Sequence, residues 1–293
     1  MKLSETNPFS EAKKYNKPLI LDGAMGSLLQ QRGYLLDDKI WATNINQAHP
    51  EEVLSIHKEY IDAGADIITT NTFRTNPLAF EGSEYNFDAT YVRNAVQITK
   101  SSVGDLPLLV AGSNAPAEDC YKKERTTSYE KLKLNHTNHI DLLIDNSVNF
   151  ILNETQSHFD EISFICEYCC ESKIPFIISL FIDENMKILS GERIIDIIQH
   201  IQNYAPLAIG FNCILPSVFI RILPLIPSNI NWGFYLNCGS GNYSDRFIQC
   251  GVSPSEYLKT VRESLKYEPS FIGSCCGSNP DHIKAIKMLY EQT

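Results

Sequence analysis

Short runs of apolar, largely β-branched residues recur along this chain. Each gives way to a polar or turn residue before helical periodicity resumes. Eight such runs predict strands. The first four are Leu19 to Leu21 ending in Asp22, Asp66 to Thr70 ending in Asn71, Leu108 to Ala111, and Phe150 to Leu152 before Asn153 and Glu154. The second four are Phe176 to Ile182, Leu207 to Phe211 before Asn212 and Cys213, Trp232 to Leu236 before Asn237 and Cys238, and Phe271 to Ile272 before Gly273. Between them the pattern predicts helices over Glu51 to Ala63, Asp88 to Ser101, Ser128 to Asn146, Phe159 to Ser172, Gly191 to Tyr204 and Pro254 to Leu265. The first of these has Pro50 at its start and Gly64 just past its end, the usual asymmetry of helix termini.

Strands that alternate with helices and carry near-continuous apolar runs form parallel sheets buried on both faces, and eight repeats is the number that closes. The predicted fold class is therefore α/β, a single (β/α)8 TIM barrel occupying residues 1–293 with no interdomain linker. Chemistry in that fold sits at the C-terminal ends of the strands, where Asp22, Asn71, Glu154, Cys213, Asn237, Cys275 and Cys276 fall. Polar residues also gather there simply because loops begin there, so no single one of them is decisive.

Composition narrows the function class. The formal net charge is -10 and no long basic run occurs, which argues against nucleic acid and against an anionic membrane surface as partner. Residues 1–17 lack the apolar stretch of a signal peptide, and the hydrophobic segments are short, so a soluble, cytoplasmic protein is expected. Nine cysteines, two of them adjacent, fit reactive or metal-bound thiols in a reducing compartment better than a disulfide framework.

Gly210-Phe211-Asn212-Cys213 follows the sixth predicted strand, and Gly273-Ser274-Cys275-Cys276-Gly277 follows the eighth. On a closed barrel these two strand ends are separated by one neighbour and open into the same mouth, so three thiols can converge. Three soft thiolates suit Zn²⁺ in a tetrahedral site whose fourth position is left to water or substrate. The competing reading is three ordinary buried cysteines acting as small hydrophobes.

Together with Leu21-Asp22-Gly23-Ala24-Met25-Gly26 and Asn71-Thr72-Phe73, those two cysteine segments resemble the homocysteine S-methyltransferase family over nearly the whole chain and in the right order. Trp41, and Glu118-Asp119-Cys120-Tyr121 after the third strand, look most like the branch that uses S-methylmethionine or S-adenosylmethionine. The resemblance implies Zn²⁺ held by Cys213, Cys275 and Cys276. It implies an acceptor site in which Asp22 and Glu154 hold the ammonium of homocysteine while the N–H groups of Gly23, Ala24 and Met25 receive its carboxylate. Asp22 could instead be a helix N-cap. Glu154, directly after an apolar run, is costly to bury without a ligand or cation beside it. For a sulfonium donor, Trp41, Phe73 and Tyr121 are candidate aromatic faces and Asn71 and Asn237 candidate polar contacts. Phe73 reads equally as core and the two asparagines as turn residues.

The expected reaction is zinc-dependent methyl transfer to homocysteine, giving methionine, by a monomer or weak homo-oligomer. The alternatives are another small thiol or selenol as acceptor, betaine as donor, or a zinc-binding or redox-sensing barrel with no catalytic role. Three segments depart from the family pattern: Ser113-Asn114-Ala115-Pro116 stands where a Gly-Pro turn is usual, Ser274 replaces a glycine, and Asn153-Glu154-Thr155-Gln156 replaces a more apolar approach. Cys166, Cys169 and Cys170 read as partly buried helix cysteines rather than a second metal motif. Cys238 is placed near the expected zinc. His136 and His139 are expected on a solvated helix face. Gly23-x-x-Gly26 lacks the dinucleotide fingerprint, which argues against a Rossmann-type methyltransferase.

Overall fold

The computed structural model describes residues 6–241 and 247–291. All eight predicted strands are present: β1 (Leu19–Ile20), β2 (Ile67–Thr69), β3 (Leu109–Asn114), β4 (Phe150–Gln156), β5 (Phe176–Leu180), β6 (Ala208–Asn212), β7 (Trp232–Leu236) and β8 (Phe271–Ser274). They pair in parallel in the order β1-β8-β7-β6-β5-β4-β3-β2, and a parallel bridge between Leu21 and Ile67 joins the two ends. Asp66 reinforces that seam: its N–H donates to Ile20 O at 2.7 Å and its carboxylate accepts from Ile20 N at 2.9 Å. The result is the (β/α)8 barrel that the strand count required.

The helices are α1 (Pro8–Lys14), α2 (Gly26–Gln31), α3 (Ile45–Ala48), α4 (Pro50–Asp62), α5 (Thr90–Val103), α6 (Tyr129–Asp145), α7 (Phe159–Glu171), α8 (Ile194–Gln202), α9 (Pro216–Ile222), α10 (Pro254–Ser264) and α11 (Pro280–Glu291). The six predicted helices correspond to α4, α5, α6, α7, α8 and α10. Start signals agree where they are strong: Pro50 occupies the first turn of α4, and Ser253 with Glu256 forms a capping box on α10. The short helices α1, α2, α3 and α9 hold too few turns for periodicity to reveal them.

Strand parity separates two cores. Ile68, Val110, Ile151, Ile178, Ile209, Phe234 and Ile272 point outward and pack with the helices. Leu21, Ile67, Ala111, Leu152, Ile177, Ala208 and Phe271 point inward and fill the barrel. Phe9 of α1 plugs the N-terminal mouth, edge-on to Phe150 and Phe271 at 5.6 Å each. Asn7 caps α1 and also donates to Leu207 O at 2.8 Å, which fixes the plug against the barrel. With the lower interior sealed by apolar side chains, polar residues at the top of the same strands face one mouth.

One expectation is reversed. His136 and His139 of α6 are fully buried, not solvated. His139 Nδ1 bonds Asn114 Oδ1 at 2.8 Å and its Nε2 meets the Thr75 hydroxyl at 2.8 Å. His136 Nε2 meets Glu161 at 2.6 Å while its Nδ1 faces the Asn114 amide at 3.1 Å. Every ring nitrogen has a partner from another element, which is what allows two imidazoles to lie behind β3 and β4. The partners come from sequence positions far from α6, so local pattern could not reveal them. Cys166 and Cys169 are buried and Cys170 exposed on α7, as a partly buried helix face requires.

Candidate metal centre and the adjoining carboxylate pair

Cys213 follows β6 directly, and Cys275 and Cys276 follow β8. Their sulfur atoms all lie within 4.8 Å of one another. Cys213 and Cys275 are in bonding contact as a disulfide, with Cα atoms 5.8 Å apart. Cys276 Sγ stands 3.7 Å from Cys213 Sγ and 3.9 Å from Cys275 Sγ. Tetrahedral zinc thiolates with Zn–S bonds of about 2.3 Å have S···S edges of about 3.8 Å, so the position of Cys276 relative to the other two fits such an ion, and the donor set is a soft one.

Backbone geometry brings the three together. Cys213 adopts a left-handed conformation, φ 54°, that a side chain rarely takes. Thr155, next to Glu154, does the same at φ 56°. The two are held by one side chain: Asn212 Oδ1 accepts from Thr155 N and its Nδ2 donates to Thr155 Oγ1, both at 2.9 Å, across the intervening β5. Gly277 has φ +82°, and a Cβ there would lie 2.5 Å from the Gly239 backbone, so the cysteine pair is turned in against β7 by a contact only glycine permits. Cys238 lends that turn its main chain, its N–H bonding Cys276 O at 2.8 Å. Its fully buried thiol lies outside the three-sulfur group.

Beside the cysteines the upper barrel interior is polar. Glu154 lies within β4, not after it, on the same strand face as Phe150 and Leu152. The Ser113 hydroxyl bonds its carboxylate. The Tyr235 hydroxyl faces Glu154 and Ser179 but meets hydrogen-bond geometry with neither. Asp22 accepts from Thr69 N and Thr69 Oγ1, each at 2.8 Å, and is no helix cap: the N-cap of α2 is Met25, which makes no side-chain cap bond. Thr69, Ser179 and Tyr235 are not among the sequence-predicted site residues, and Ser113 stands out there only as part of a departure from the family pattern. Their signal was parity, since each sits two positions beyond an inward apolar residue or within the inward cluster itself.

No ion pair to Asp22 or Glu154 exists among the described residues. Burial pushes Asp22 up to about 8, against the bonds from Thr69 that pull it down, and the nearby Glu154 charge adds to the rise. Burial likewise pushes Glu154 up to about 7, with the Ser113 and Tyr235 hydroxyls pulling back. Both groups therefore bind protons more tightly folded than unfolded, where carboxylates titrate near about 4. Without a ligand, stability should fall as pH rises from about 4 to about 8. His57 and His139, buried and lowered to about 3, act in the opposite sense below about 6.5. The readout is thus the difference between wild type and an Asp22→Asn/Glu154→Gln variant in thermal melts from pH 5 to 8. The variant should gain on the wild type steadily across that range; parallel curves would refute the raised titrations.

The remaining candidates divide. Trp41 and Phe73 form an aromatic pair, centroids 5.7 Å apart, and both are half-buried. Tyr121 packs edge-on against Phe181 at 5.1 Å. The Asn71 amide is engaged with Ala42 O at 3.2 Å and Asn46 Oδ1 at 2.9 Å, which ties the end of β2 to the segment after Trp41. Asn237 accepts from Gly239 N at 2.7 Å in a local turn. Gly23 is pressed between Tyr60 and Ser278, where a Cβ would come within 2.7 Å of the tyrosine ring. The Ala24 N–H is taken by Ser278 Oγ at 3.1 Å.

Known proteins of similar shape and distantly similar sequence exist. Homocysteine S-methyltransferase 2 of Arabidopsis thaliana is 25% identical, the match covering 96% of each chain. Homocysteine S-methyltransferase of Escherichia coli (strain K12) is 24% identical over 97% of this chain and 99% of that protein. Among solved structures, the metallated form of the homocysteine methyltransferase MmuM from Escherichia coli superposes with a TM-score of 0.80 at 22% identity, covering 96% of this chain and 99% of that one. Its oxidized form gives 0.83 at 22% identity, covering 97% and 100%. At that identity the two superpositions speak for the barrel alone. The sequence pattern of the family described as Homocysteine S-methyltransferase matches residues 19–290, and this chain therefore belongs to that family.

Proposed function

We propose that the protein transfers a methyl group from a sulfonium donor, S-methylmethionine or S-adenosylmethionine, to homocysteine, giving methionine, and that it depends on zinc. The observation that carries this reading is the junction of a three-cysteine cluster and an unpaired carboxylate pair in one mouth. Three cysteine sulfurs converge within 4.8 Å, and beside them stand two inward carboxylates that no cation of the described chain neutralises. Cys213, Cys275 and Cys276 would hold the metal, which when bound keeps a substrate thiol deprotonated at neutral pH. Asp22 and Glu154 take the acceptor's ammonium. Its carboxylate goes to the turn after β1, where Gly23 and Met25 offer N–H groups and Ala24 already serves Ser278.

In the reaction a bond forms between the acceptor sulfur and the methyl carbon. The bond from that carbon to the donor sulfur breaks with its electron pair staying on sulfur, so the sulfonium leaves as a neutral thioether. The chain's own contribution is to hold the two sulfurs and the carbon in line and to keep the ammonium fixed while charge moves. Trp41 and Phe73 offer aromatic faces to the donor's sulfonium charge before the methyl leaves it.

The direct contact of Cys213 with Cys275 favours one second reading, a thiol-based redox sensor on a retained barrel. The two separate in one assay: methionine formation by reduced, zinc-supplied protein given homocysteine with S-methylmethionine, S-adenosylmethionine or betaine in separate reactions. Product from one sulfonium is expected. Product from betaine alone would replace the donor class, and no product from any would turn the reading to another thiol or to the sensor.

A further inference from the structure

We propose that Arg74 is the receptor for the carboxylate group of the methyl donor, an inference that rests on the methyl-transfer reading above. Arg74 follows the Asn71-Thr72-Phe73 segment at the end of β2 and is 8% exposed. One terminal nitrogen donates to Glu118 O at 3.0 Å and approaches Pro116 O at 3.5 Å, which docks the loop after β3 onto the loop after β2. Its Nε is buried and has no hydrogen-bond partner among the described residues.

Among the described residues no carboxylate lies within ion-pair distance of this guanidinium. The contrast with its counterparts is direct: Arg125, also largely buried, is clamped between Asp160 and Glu161, and Arg32 between Glu52 and Glu59. Two carbonyl oxygens supply partial charge only, and a buried cation calls for a full anion or a costly desolvation. The same argument that calls for a cation beside Asp22 and Glu154 calls for an anion here.

The surroundings say which ligand brings it. The guanidinium lies over the Phe73 ring, 5.4 Å from its centroid, and Phe73 in turn pairs with Trp41. Its charge also reaches the buried Cys120 thiol, one residue before Tyr121. Arg74 thus stands on the aromatic side of the mouth, between the loops after β2 and β3, whereas the acceptor's two charged ends are matched by the turn after β1 and by Asp22 with Glu154. An aromatic pair next to an unpaired guanidinium suits a molecule that carries both an onium centre and a carboxylate. S-Methylmethionine and S-adenosylmethionine are of that class.

Calorimetric titration of reduced, zinc-loaded protein, without acceptor, tests the assignment. Each of the two sulfoniums is compared with its carboxamide, which keeps the sulfonium and the ammonium and removes only the anion. Wild type should bind one carboxylate form about tenfold or more tightly than its amide, the range of a charge-assisted hydrogen bond. Arg74→Met should bind acid and amide alike, and Arg74→Lys should recover part of the preference. The preference in wild type needs no variant to fold. Equal binding of acid and amide by wild type, undiminished preference in Arg74→Met, or binding of neither sulfonium would each overturn the assignment. Preference for the acid without any methionine formation would instead sink the reaction and leave the carboxylate site standing.

Discussion

Replacing Cys276 by alanine is expected to abolish zinc retention and to lower the rate of methionine formation by about a thousandfold or more. The estimate has two parts. A free thiol near pKa 8.5 is only about 3% ionised at pH 7, so losing the activated thiolate costs about thirtyfold. Losing the fixed position of the acceptor sulfur costs about a hundredfold more. Cys276 is the informative cysteine to remove because it stands 3.7 Å and 3.9 Å from the other two sulfurs, while its main-chain bond to Cys238 survives the change. Metal content by native mass spectrometry, thermal melting and product formation should be followed on one preparation. A variant that keeps full zinc and full activity would end the three-cysteine assignment.

Glu154→Gln is expected to raise the KM for homocysteine by about ten- to a hundredfold, the loss of one charge-assisted bond to an ammonium at about 1.5–3 kcal/mol. Zinc content should not change, because Glu154 is not among the three metal-competent sulfurs. Folding should be preserved or improved, since the glutamine keeps a partner for Ser113 and removes a charge that burial disfavours. The penalty should vanish for a thiol acceptor lacking the amino group, which separates ammonium binding from general damage. An unchanged KM would remove Glu154 from the acceptor site, and a redox-sensing barrel would tolerate the substitution without loss.

Much of this candidate site is legible in the sequence. Cys213, Cys275 and Cys276 stood out because two Gly-flanked segments fell at the ends of strands six and eight, and barrel closure makes such ends converge. Glu154 stood out because a carboxylate in an apolar run has an energetic cost that asks for a partner. The polar collar around it was legible only in part. Thr69, Ser113 and Ser179 look like ordinary strand polar residues until parity is counted from Ile67, Ala111 and Ile177, and Tyr235 until its strand is known to face inward. His136 and His139 went the other way, into the interior, because Asn114, Thr75 and Glu161 reach them from other elements.

By itself the sequence determined what local chemistry determines: the eight strands, the longer helices other than α11, and the parallel barrel that buried strands and crossover helices oblige; it also offered three cysteines as candidate soft donors. The tertiary structure alone decided which polar groups are satisfied and which are not. Arg125 and Arg74 are both arginines in loops near the mouth, and the immediate neighbours of neither supply its partners. One finds Asp160 and Glu161, and the other, among the described residues, finds only carbonyl oxygens. Likewise the left-handed backbone of Cys213 is held by an Asn212–Thr155 contact that spans β5. The reason is one of range: propensity and periodicity act over a turn or a strand, whereas the balance of charge and hydrogen bonding in a buried site is settled by residues the chain brings together from tens of positions away.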